Sequence, residues 1–284
     1  NLQDIFIECA NIISKEQPLE LNTYPNYEGE RVGVLQLSDF HYGEIVENFM
    51  NTYNHDVFNK RMNKLTTDVI NYCKLMNVDT LKILNQGDLI SGSLRVSTRV
   101  MEEEDRVYQT MYVAEALANM LLEFAKHINQ IEFYSVTDNH SRVNKNKKEH
   151  IEKESFSRFI PWHLKTRLVN IKNIKIIENR INDIEEFDIG VVDIFHEKAL
   201  FTHGHNGRLN TTIADLTLMT RIFPIAIFTA HFHKNLEDES HSIDLIMNPS
   251  GVGTGEYSKN IRKSSKPRQK FTIFENNNGN VERV

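Results

Sequence analysis

Apolar residues along the chain change several times from strand-like to helical spacing. Residues 31–37 form an apolar run of strand length, and residues 56–77 place apolar side chains three and four positions apart, as on one face of a helix. Strand-like runs return at 80–84 and 131–136, with a long helical stretch at 95–129 between them. The first half of the chain therefore predicts the order β-α-β-α-β.

The predicted elements become shorter in the second half. Residues 144–153 are rich in charge and predict an exposed loop or the start of a helix, and a helix is expected over 152–169. Six short apolar runs then predict strands at 174–178, 189–195, 198–202, 225–230, 243–247 and 270–274. A mostly β half after a β-α-β-α-β half predicts a layered α/β sandwich in which helices cover two sheets.

The first 30 residues differ from this pattern. Residues 1–14 carry apolar residues at helical spacing, whereas residues 15–30 are polar and contain two prolines. We therefore expect an N-terminal helix and arm over 1–30, followed by one domain over 31–284, a length that a single large α/β domain can reach. Because the first residue is Asn1 and not Met, we also expect that the natural chain can begin further upstream.

Composition limits the functional classes. Hydrophobic residues make up 40% and charged residues 25% of the chain, as in ordinary soluble proteins. There is no apolar run as long as a membrane helix and no visible signal peptide, so no membrane partner is expected. The 2 cysteines form no paired motif, which favours a reducing, cytoplasmic setting. A net charge of -6 excludes a global basic field that would attract nucleic acid, but it leaves room for a local basic patch.

Metal-ligating residue types follow five of the predicted strands. In chain order the motifs are Asp39-Phe40-His41, Gly87-Asp88, Asp138-Asn139-His140, His203-Gly204-His205 and His231-Phe232-His233. Each motif alone has an ordinary explanation as a turn or an exposed histidine. Together they offer carboxylate, amide oxygen and imidazole at strand ends, a mixture that suits Mn²⁺, Fe or Zn²⁺ better than a thiolate-bound structural zinc.

In this order the motifs resemble those of the calcineurin-like metallophosphoesterases, whose pattern is D-x-H, G-D, G-N-H, H and G-H-x-H. The resemblance covers about residues 31–250. It implies a four-layer α/β/β/α sandwich with two divalent cations between the sheets, Mn²⁺ being favoured over Fe or Zn²⁺. It also implies the following ligands: Asp39, His41 and His233 for one ion, Asn139, His203 and His231 for the other, and Asp88 as the bridge.

The resemblance further implies a catalytic role for His140, which would assist the leaving group. The amide of Asn139 and the side chain of Arg142 would neutralise charge on the phosphate, although Arg142 is equally consistent with a solvated surface arginine. Three positions depart from the family pattern. Asp138 and Ala230 stand where the family usually has glycine, and Ser141 stands where it often has an acid. None of the three removes an expected ligand, and Asp138 is expected to support the ligands from behind.

The substrate is less well defined by the sequence. Two basic stretches, at 145–153 and 259–270, would hold nucleic-acid phosphates, or would simply be solvated loops. The sequence as a whole resembles phage-encoded DNA repair exonucleases related to SbcD-type nucleases, and this resemblance favours a nuclease. The alternatives are a phosphatase or cyclic-nucleotide phosphodiesterase acting on a small or protein-bound phosphate and, last, a non-catalytic binding protein. The stretch 95–129 has more apolar surface than one packing face needs, so it suits either a homodimer contact or a fully buried helix.

Overall fold

The structure is a computed structural model that describes residues 17–26, 29–92, 104–144 and 146–284. The N-terminal helix expected over 1–14 and the first part of the helical stretch expected over 95–129 lie outside the described residues. In the described part of the arm, the amide of Leu19 donates to the carbonyl of Arg167 at 2.8 Å. This contact places the arm against a helix of the main domain.

The first sheet has six strands. They are β1 (Arg31–Leu37), β4 (Val78–Asn85), β5 (Gln130–Ser135), β6 (Ile174–Ile176), β14 (Phe271–Asn277) and β15 (Asn280–Arg283). Their order across the sheet is β15-β14-β1-β4-β5-β6. The strands β1, β4, β5 and β6 run parallel, and β14 and β15 add an antiparallel edge. Because four strands are parallel, their carboxyl ends lie along one edge of the sheet.

The second sheet has five strands, and two short hairpins lie outside both sheets. The five are β9 (Ile189–Ile194), β10 (Glu197–Thr202), β11 (Ala226–Thr229), β12 (Leu236–Ser240) and β13 (Ile243–Met247), in the order β12-β13-β11-β10-β9. Within it β10, β11 and β13 are parallel. The hairpins pair β2 (Val46–Asn48) with β3 (Asn51–Tyr53) and β7 (Arg180–Ile181) with β8 (Ile184–Glu185).

Five α-helices are described: α1 (His55–Leu75), α2 (Arg106–Ala125), α3 (Phe159–Arg167), α4 (Thr212–Thr220) and α5 (Glu256–Asn260). Asn54 caps the start of α1 by accepting a hydrogen bond from the amide of Val57. Asp105 does the same for α2, accepting from the amides of Val107 and Tyr108. Among the described residues, no helix is long and apolar enough to cross a membrane.

Three cores stack the elements into four layers. The largest core joins one face of the first sheet to α1, α2 and α3, through residues such as Phe58, Leu117 and Leu164. A second core lies between the two sheets and contains Leu84 and Phe228. The third joins the outer face of the second sheet to α4. The predicted α/β/β/α sandwich is therefore confirmed.

The nine predicted strands are all found within three residues of their expected bounds, but other elements differ. The helix expected over 152–169 begins only at Phe159, after 3₁₀ turns at Lys147–Glu149, Glu152–Glu154 and Phe156–Arg158. The hairpins, the polar strand β12 and the edge strand β15 were not predicted from the sequence. Helix α2 buries Val113, Leu117, Met120 and Leu121 within the chain, whereas Met111 and Tyr112 are half-buried, so the helix is not fully buried and the homodimer contact stays a prediction.

Candidate metal centre

The five motifs converge where strands of the two sheets end. The backbones that follow the strands are joined directly, since the amide of Asp39 donates to the carbonyl of Gly87 at 3.0 Å and the amide of Ala230 to that of His203 at 3.1 Å. The amide of His231 then donates to Asp39 Oδ2 at 3.3 Å, which links the edges of the two sheets. Residues far apart in the chain therefore form one cluster.

One group of side chains in this cluster comprises Asp39, His41 and His233. The His233 Nε2 atom lies 3.0 Å from Asp39 Oδ1 and 3.2 Å from His41 Nε2. All three ligand atoms lie within 4.8 Å of one another. This is the set that the sequence predicts for the first ion.

A second group comprises Asp88, His203 and His231, again with ligand atoms within 4.8 Å of one another. The His203 Nε2 atom lies 3.1 Å from Asp88 Oδ2 and 3.0 Å from Asn139 Oδ1. The structure thus brings Asn139 to the same place, as the sequence predicts for the second ion.

Asp88 lies between the two groups. Its Oδ2 atom is 3.1 Å from His203 Nε2 and 3.9 Å from both His41 Nε2 and His140 Nε2. Its Oδ1 atom accepts a hydrogen bond from the amide of His140 at 3.1 Å. This is the position that a bridging carboxylate requires.

The chemistry of these residues fits divalent cations. His203 Nδ1 donates to the carbonyl of Gln86 at 2.7 Å, so a neutral ring keeps its lone pair on Nε2. That lone pair faces two further acceptors, Asp88 Oδ2 and Asn139 Oδ1. In addition, Asp39 Oδ1 is buried without a hydrogen bond of good geometry. These acceptor atoms converge with no donor between them, and a cation bound there would coordinate them.

The backbone at the centre adopts a conformation that is uncommon outside glycine. Five of the seven predicted ligands have φ between 41° and 66°, namely Asp39, His41, Asp88, His231 and His233. Left-handed residues with a side chain cost on the order of 1–3 kcal/mol each and cluster at functional sites. Here they accompany a D-x-H motif whose Asp39 and His41 face one group and an H-x-H motif whose His231 and His233 face one group each.

The charge state of the ligands also suits a cation at neutral pH. Burial raises the pKa of Asp39, but the charge of His233, its contact with the carboxylate and the charge of His203 together outweigh burial, and the pKa falls to about 2. Burial lowers the pKa of His41 to about 3, so its ring is neutral. Burial by itself would lower the pKa of His203. The carboxylate of Asp88, together with other nearby carboxylates, outweighs burial and raises that pKa to about 10. The carboxylates therefore favour one positive charge beside His203, which a metal ion supplies as a proton does.

The side chains of two buried glutamines, which were not predicted from the sequence, hydrogen-bond to each other and to the backbone that precedes the ligands. Gln36 Nε2 donates to Gln86 Oε1 at 2.8 Å, and Gln86 Nε2 donates to the carbonyl of Thr202 at 3.1 Å. Thr202 immediately precedes His203, and Gln86 precedes Gly87-Asp88. The available signal was Gln36, inside the apolar run of β1, and Gln86, directly after β4, and both donate to carbonyls of the other sheet.

Asp138 supports the Asn139-His140 turn. Its Oδ1 accepts from the amide of Ser141 at 2.6 Å and its Oδ2 accepts from the Ser141 hydroxyl at 2.9 Å. The aspartate and the serine that depart from the family pattern are therefore partners of each other. Gly87, with φ of 91°, lies directly against the Asp138 side chain.

Arg142 and His140 have different surroundings. His140 Nδ1 donates to the carbonyl of Ser91 at 2.6 Å, and the ring packs against His41 with centroids 4.4 Å apart. The structure therefore brings His140 to the centre. The Nε atom of Arg142 is buried and has no hydrogen-bond partner within the described ranges. The predicted phosphate contact of Arg142 stays a prediction.

Comparison with known proteins gives one similar sequence and several similar folds. No family model matches the sequence. The chain is 27% identical over 265 residues to the SPbeta prophage-derived uncharacterized protein YonJ of Bacillus subtilis (strain 168), and the match covers 89% of this chain. It spans 64% of the length of that relative.

Solved structures with similar folds include a novel archaeal phosphodiesterase, with 13% identity and a TM-score of 0.41 over 89% of this chain and 98% of that one. Vacuolar protein sorting 29 from Cryptosporidium parvum has 12% identity and a TM-score of 0.43 over 90% and 96% of the two chains. A predicted phosphoesterase from Streptococcus pneumoniae TIGR4 has 9% identity and a TM-score of 0.35 over 89% and 97%. Because these TM-scores are below 0.5, the fold rests on the sheet order and cores described above, and the chemistry rests on the metal centre.

Proposed function

We propose that this chain is a metal-dependent phosphoesterase that uses two divalent cations. The observation that carries the proposal is the convergence of two ligand groups, with Asp88 Oδ2 3.1 Å from His203 Nε2 in one and 3.9 Å from His41 Nε2 in the other. When bound, two such cations would polarise the phosphate and activate a water molecule. Mn²⁺ suits the mixture of nitrogen and oxygen ligands, as do Fe and Zn²⁺.

The residues of the chain would position and protonate the substrate. Because His140 Nδ1 donates to the carbonyl of Ser91, Nε2 is the atom that is free to exchange a proton with the leaving oxygen. The His140 side chain is 31% exposed, so substrate can reach it. The carboxylates of Asp39 and Asp88 are almost completely buried, which limits the access of bulk water to the ligands.

The first experiment measures hydrolysis of bis-p-nitrophenyl phosphate with Mn²⁺, before and after removal of metal by a chelator. We expect activity that needs metal and that the Asp88→Ala variant lacks, since the shared carboxylate is gone. Asp238→Ala, which removes an exposed carboxylate from β12, is the matched control and should be fully active. Wild-type activity in Asp88→Ala, or activity that survives the chelator, would contradict the proposal.

Among phosphoesterase substrates we propose nucleic acid, and a basic surface beside the centre supports it. The segment from residue 250 to 268 begins and ends near the metal ligand Asp39. Ser250 Oγ donates to the carbonyl of Asp39 at 3.1 Å, and the amide of Arg268 donates to the carbonyl of Ser250 at 3.0 Å. Its exposed cations are Arg262, Lys263, Lys266 and Arg268, for which no ion pair occurs within the described ranges. Free cations in this position would attract a polyanion.

The other basic residues give less support. Lys259 and Lys270 form ion pairs with Glu256 and Glu237, so their charges are already partnered. The stretch 146–153 alternates lysines with Glu149 and Glu152 and offers no continuous basic strip. The nuclease proposal therefore depends on the loop at 262–268.

The test compares cleavage of single-stranded DNA, double-stranded DNA and RNA with hydrolysis of cyclic nucleotides and phosphomonoesters. For a nuclease, Lys263→Ala/Lys266→Ala should weaken nucleic-acid cleavage and flatten its dependence on salt while bis-p-nitrophenyl phosphate hydrolysis is unchanged. The control Lys172→Ala/Lys175→Ala removes two exposed lysines near the start of β6, where the amino ends of the parallel strands lie. Activity confined to monoesters or cyclic nucleotides would favour the phosphatase or phosphodiesterase alternative. Metal binding without any hydrolysis would favour a binding protein.

A further inference from the structure

His205 belongs to one of the five motifs, yet neither ligand group uses it. Its ring centroid lies 5.3 Å from that of His203 and 6.2 Å from that of His231. It is absent from the groups whose ligand atoms converge within 4.8 Å in the described ranges. The intervening Gly204, with φ of 100°, turns the chain so that both histidine rings lie on the same side. His205 therefore flanks the second ligand group without joining it.

The nitrogens of His205 have no protein partner within the described ranges. Nδ1 is buried and makes no hydrogen bond, although the ring is only partly buried. Nε2 makes none either and does not belong to the buried, unpartnered atoms, so it is open to solvent. Buried polar atoms nearly always have a partner, and an exception beside a reactive centre points to a contact that a ligand completes.

A lysine extends to the same place. The Lys147 Nζ atom donates to the carbonyl of His205 at 3.4 Å and is exposed. The nearest acidic residue in sequence, Glu149, instead accepts hydrogen bonds from the side chains of Asn144 and Asn146. Lys147 therefore keeps its charge available at the rim, beside an imidazole that can donate or accept.

We propose that His205 and Lys147 form an anion subsite that holds a phosphate oxygen of the substrate beside the Asn139, His203 and His231 group. The inference rests on the proposed phosphoesterase function and adds residues that contact the substrate and not the metal. The ligand class is a phosphate ester or its product, inorganic phosphate. A single imidazole and one ammonium group match one or two oxygens of a phosphate.

The test measures binding of inorganic phosphate by calorimetry, to metal-free and to Mn²⁺-loaded protein, together with metal content and kinetics with bis-p-nitrophenyl phosphate. His205→Phe keeps a ring but removes both nitrogens, and His205→Gln keeps a donor and an acceptor. We expect His205→Phe to raise the phosphate Kd and the KM roughly tenfold or more, the loss typical of a hydrogen bond to a charged group. The metal content should stay at two ions per chain and kcat should change less than KM.

The conservative and control variants make the result specific. His205→Gln should recover part of the lost phosphate binding. Lys147→Ala should weaken phosphate binding, whereas Lys148→Ala, an exposed neighbour, should not. Unchanged phosphate binding in His205→Phe, loss of a metal ion in that variant, or equal effects of the two lysine variants would each overturn the subsite.

Failure of the subsite and failure of the proposed function give different results. If the wild-type protein hydrolyses phosphate esters but His205→Phe behaves like it, only the subsite is wrong. If the wild-type protein hydrolyses no phosphate ester, the proposed function fails, while the phosphate Kd of the variants still decides whether the subsite exists.

Discussion

The contact between Gly87 and Asp138 allows a sharp test of how the metal centre is positioned. A methyl group added at Gly87 would lie 2.4 Å from Asp138 Cβ and 3.0 Å from its Oδ2. Asp138 cannot retreat freely, because its carboxylate holds the Ser141 amide and hydroxyl. Gly87→Ala therefore pushes apart the two loops that carry Asp88 and Asn139.

The size of the effect follows from the geometry. An ordinary carbon contact needs at least 3.4 Å, so the loops must separate by about 1 Å beyond the present 2.4 Å. A misplacement of about 1 Å at a reactive centre can reduce activity about 100-fold. The left-handed φ of 91° adds roughly 1–2 kcal/mol when alanine replaces glycine, and forcing atoms into a packed interior adds roughly 1–3 kcal/mol.

Gly279 provides a matched control. Its φ is also 91°, but a methyl group added there would meet nothing within 4 Å. Urea denaturation should show that Gly279→Ala loses only the backbone contribution of roughly 1–2 kcal/mol, and its activity should be that of the wild type. Gly87→Ala should lose more stability and about 100-fold in kcat/KM with bis-p-nitrophenyl phosphate. If Gly87→Ala matches Gly279→Ala in both stability and activity, the packing of Asp138 against Gly87 does not position the centre.

Three further predictions concern the support of the centre and the core. Gln36→Leu leaves Gln86 Oε1 without its donor and should lower the free energy of unfolding by about 1–3 kcal/mol in urea; a neutral effect would show that the glutamine pair does not hold the sheets together. Ser141→Ala removes one hydrogen bond to Asp138 and should cost about 1 kcal/mol and several-fold in kcat, whereas an unchanged kcat would show that the turn does not depend on it. Burial raises the pKa of the Cys73 thiol to about 12, so in a Cys9→Ser background a thiol reagent should label it only after unfolding, and rapid labelling of the native protein would be inconsistent with its 1% exposure.

The sequence was sufficient for the parts of the fold that local pattern determines. The run at 31–37 is mostly apolar because β1 is buried on both faces, so its bounds were predicted correctly. In contrast β12, with the sequence LEDES, is exposed and acidic, and only its pairing with β13 makes it a strand. The late start of α3 at Phe159 was missed for a related reason, since the residues before it form separate 3₁₀ turns. Long-range pairing and single turns leave no periodic signal.

The metal centre, like the fold, was predictable from the sequence only in part. The identity and order of the motifs place Asp39, Asp88 and His203 at the ends of parallel strands, and their convergence follows from strand direction. The left-handed backbone of Asp39 and His231 was not predictable, because residues other than glycine rarely adopt it without tertiary contacts that enforce it. The hydrogen bond between Gln36 and Gln86 was not predictable either, since it joins β1 to the residue that follows β4, 50 positions further along the chain.

The central claim is that Asp88 joins two cation sites into one centre. Titration of the metal-free protein with Mn²⁺, followed by electron paramagnetic resonance, tests it most directly. We predict two ions per chain with the spectrum of a magnetically coupled pair, and in Asp88→Ala the loss of that coupled signal. Binding of a single ion, or of two ions with no magnetic coupling in the wild-type protein, would contradict the account.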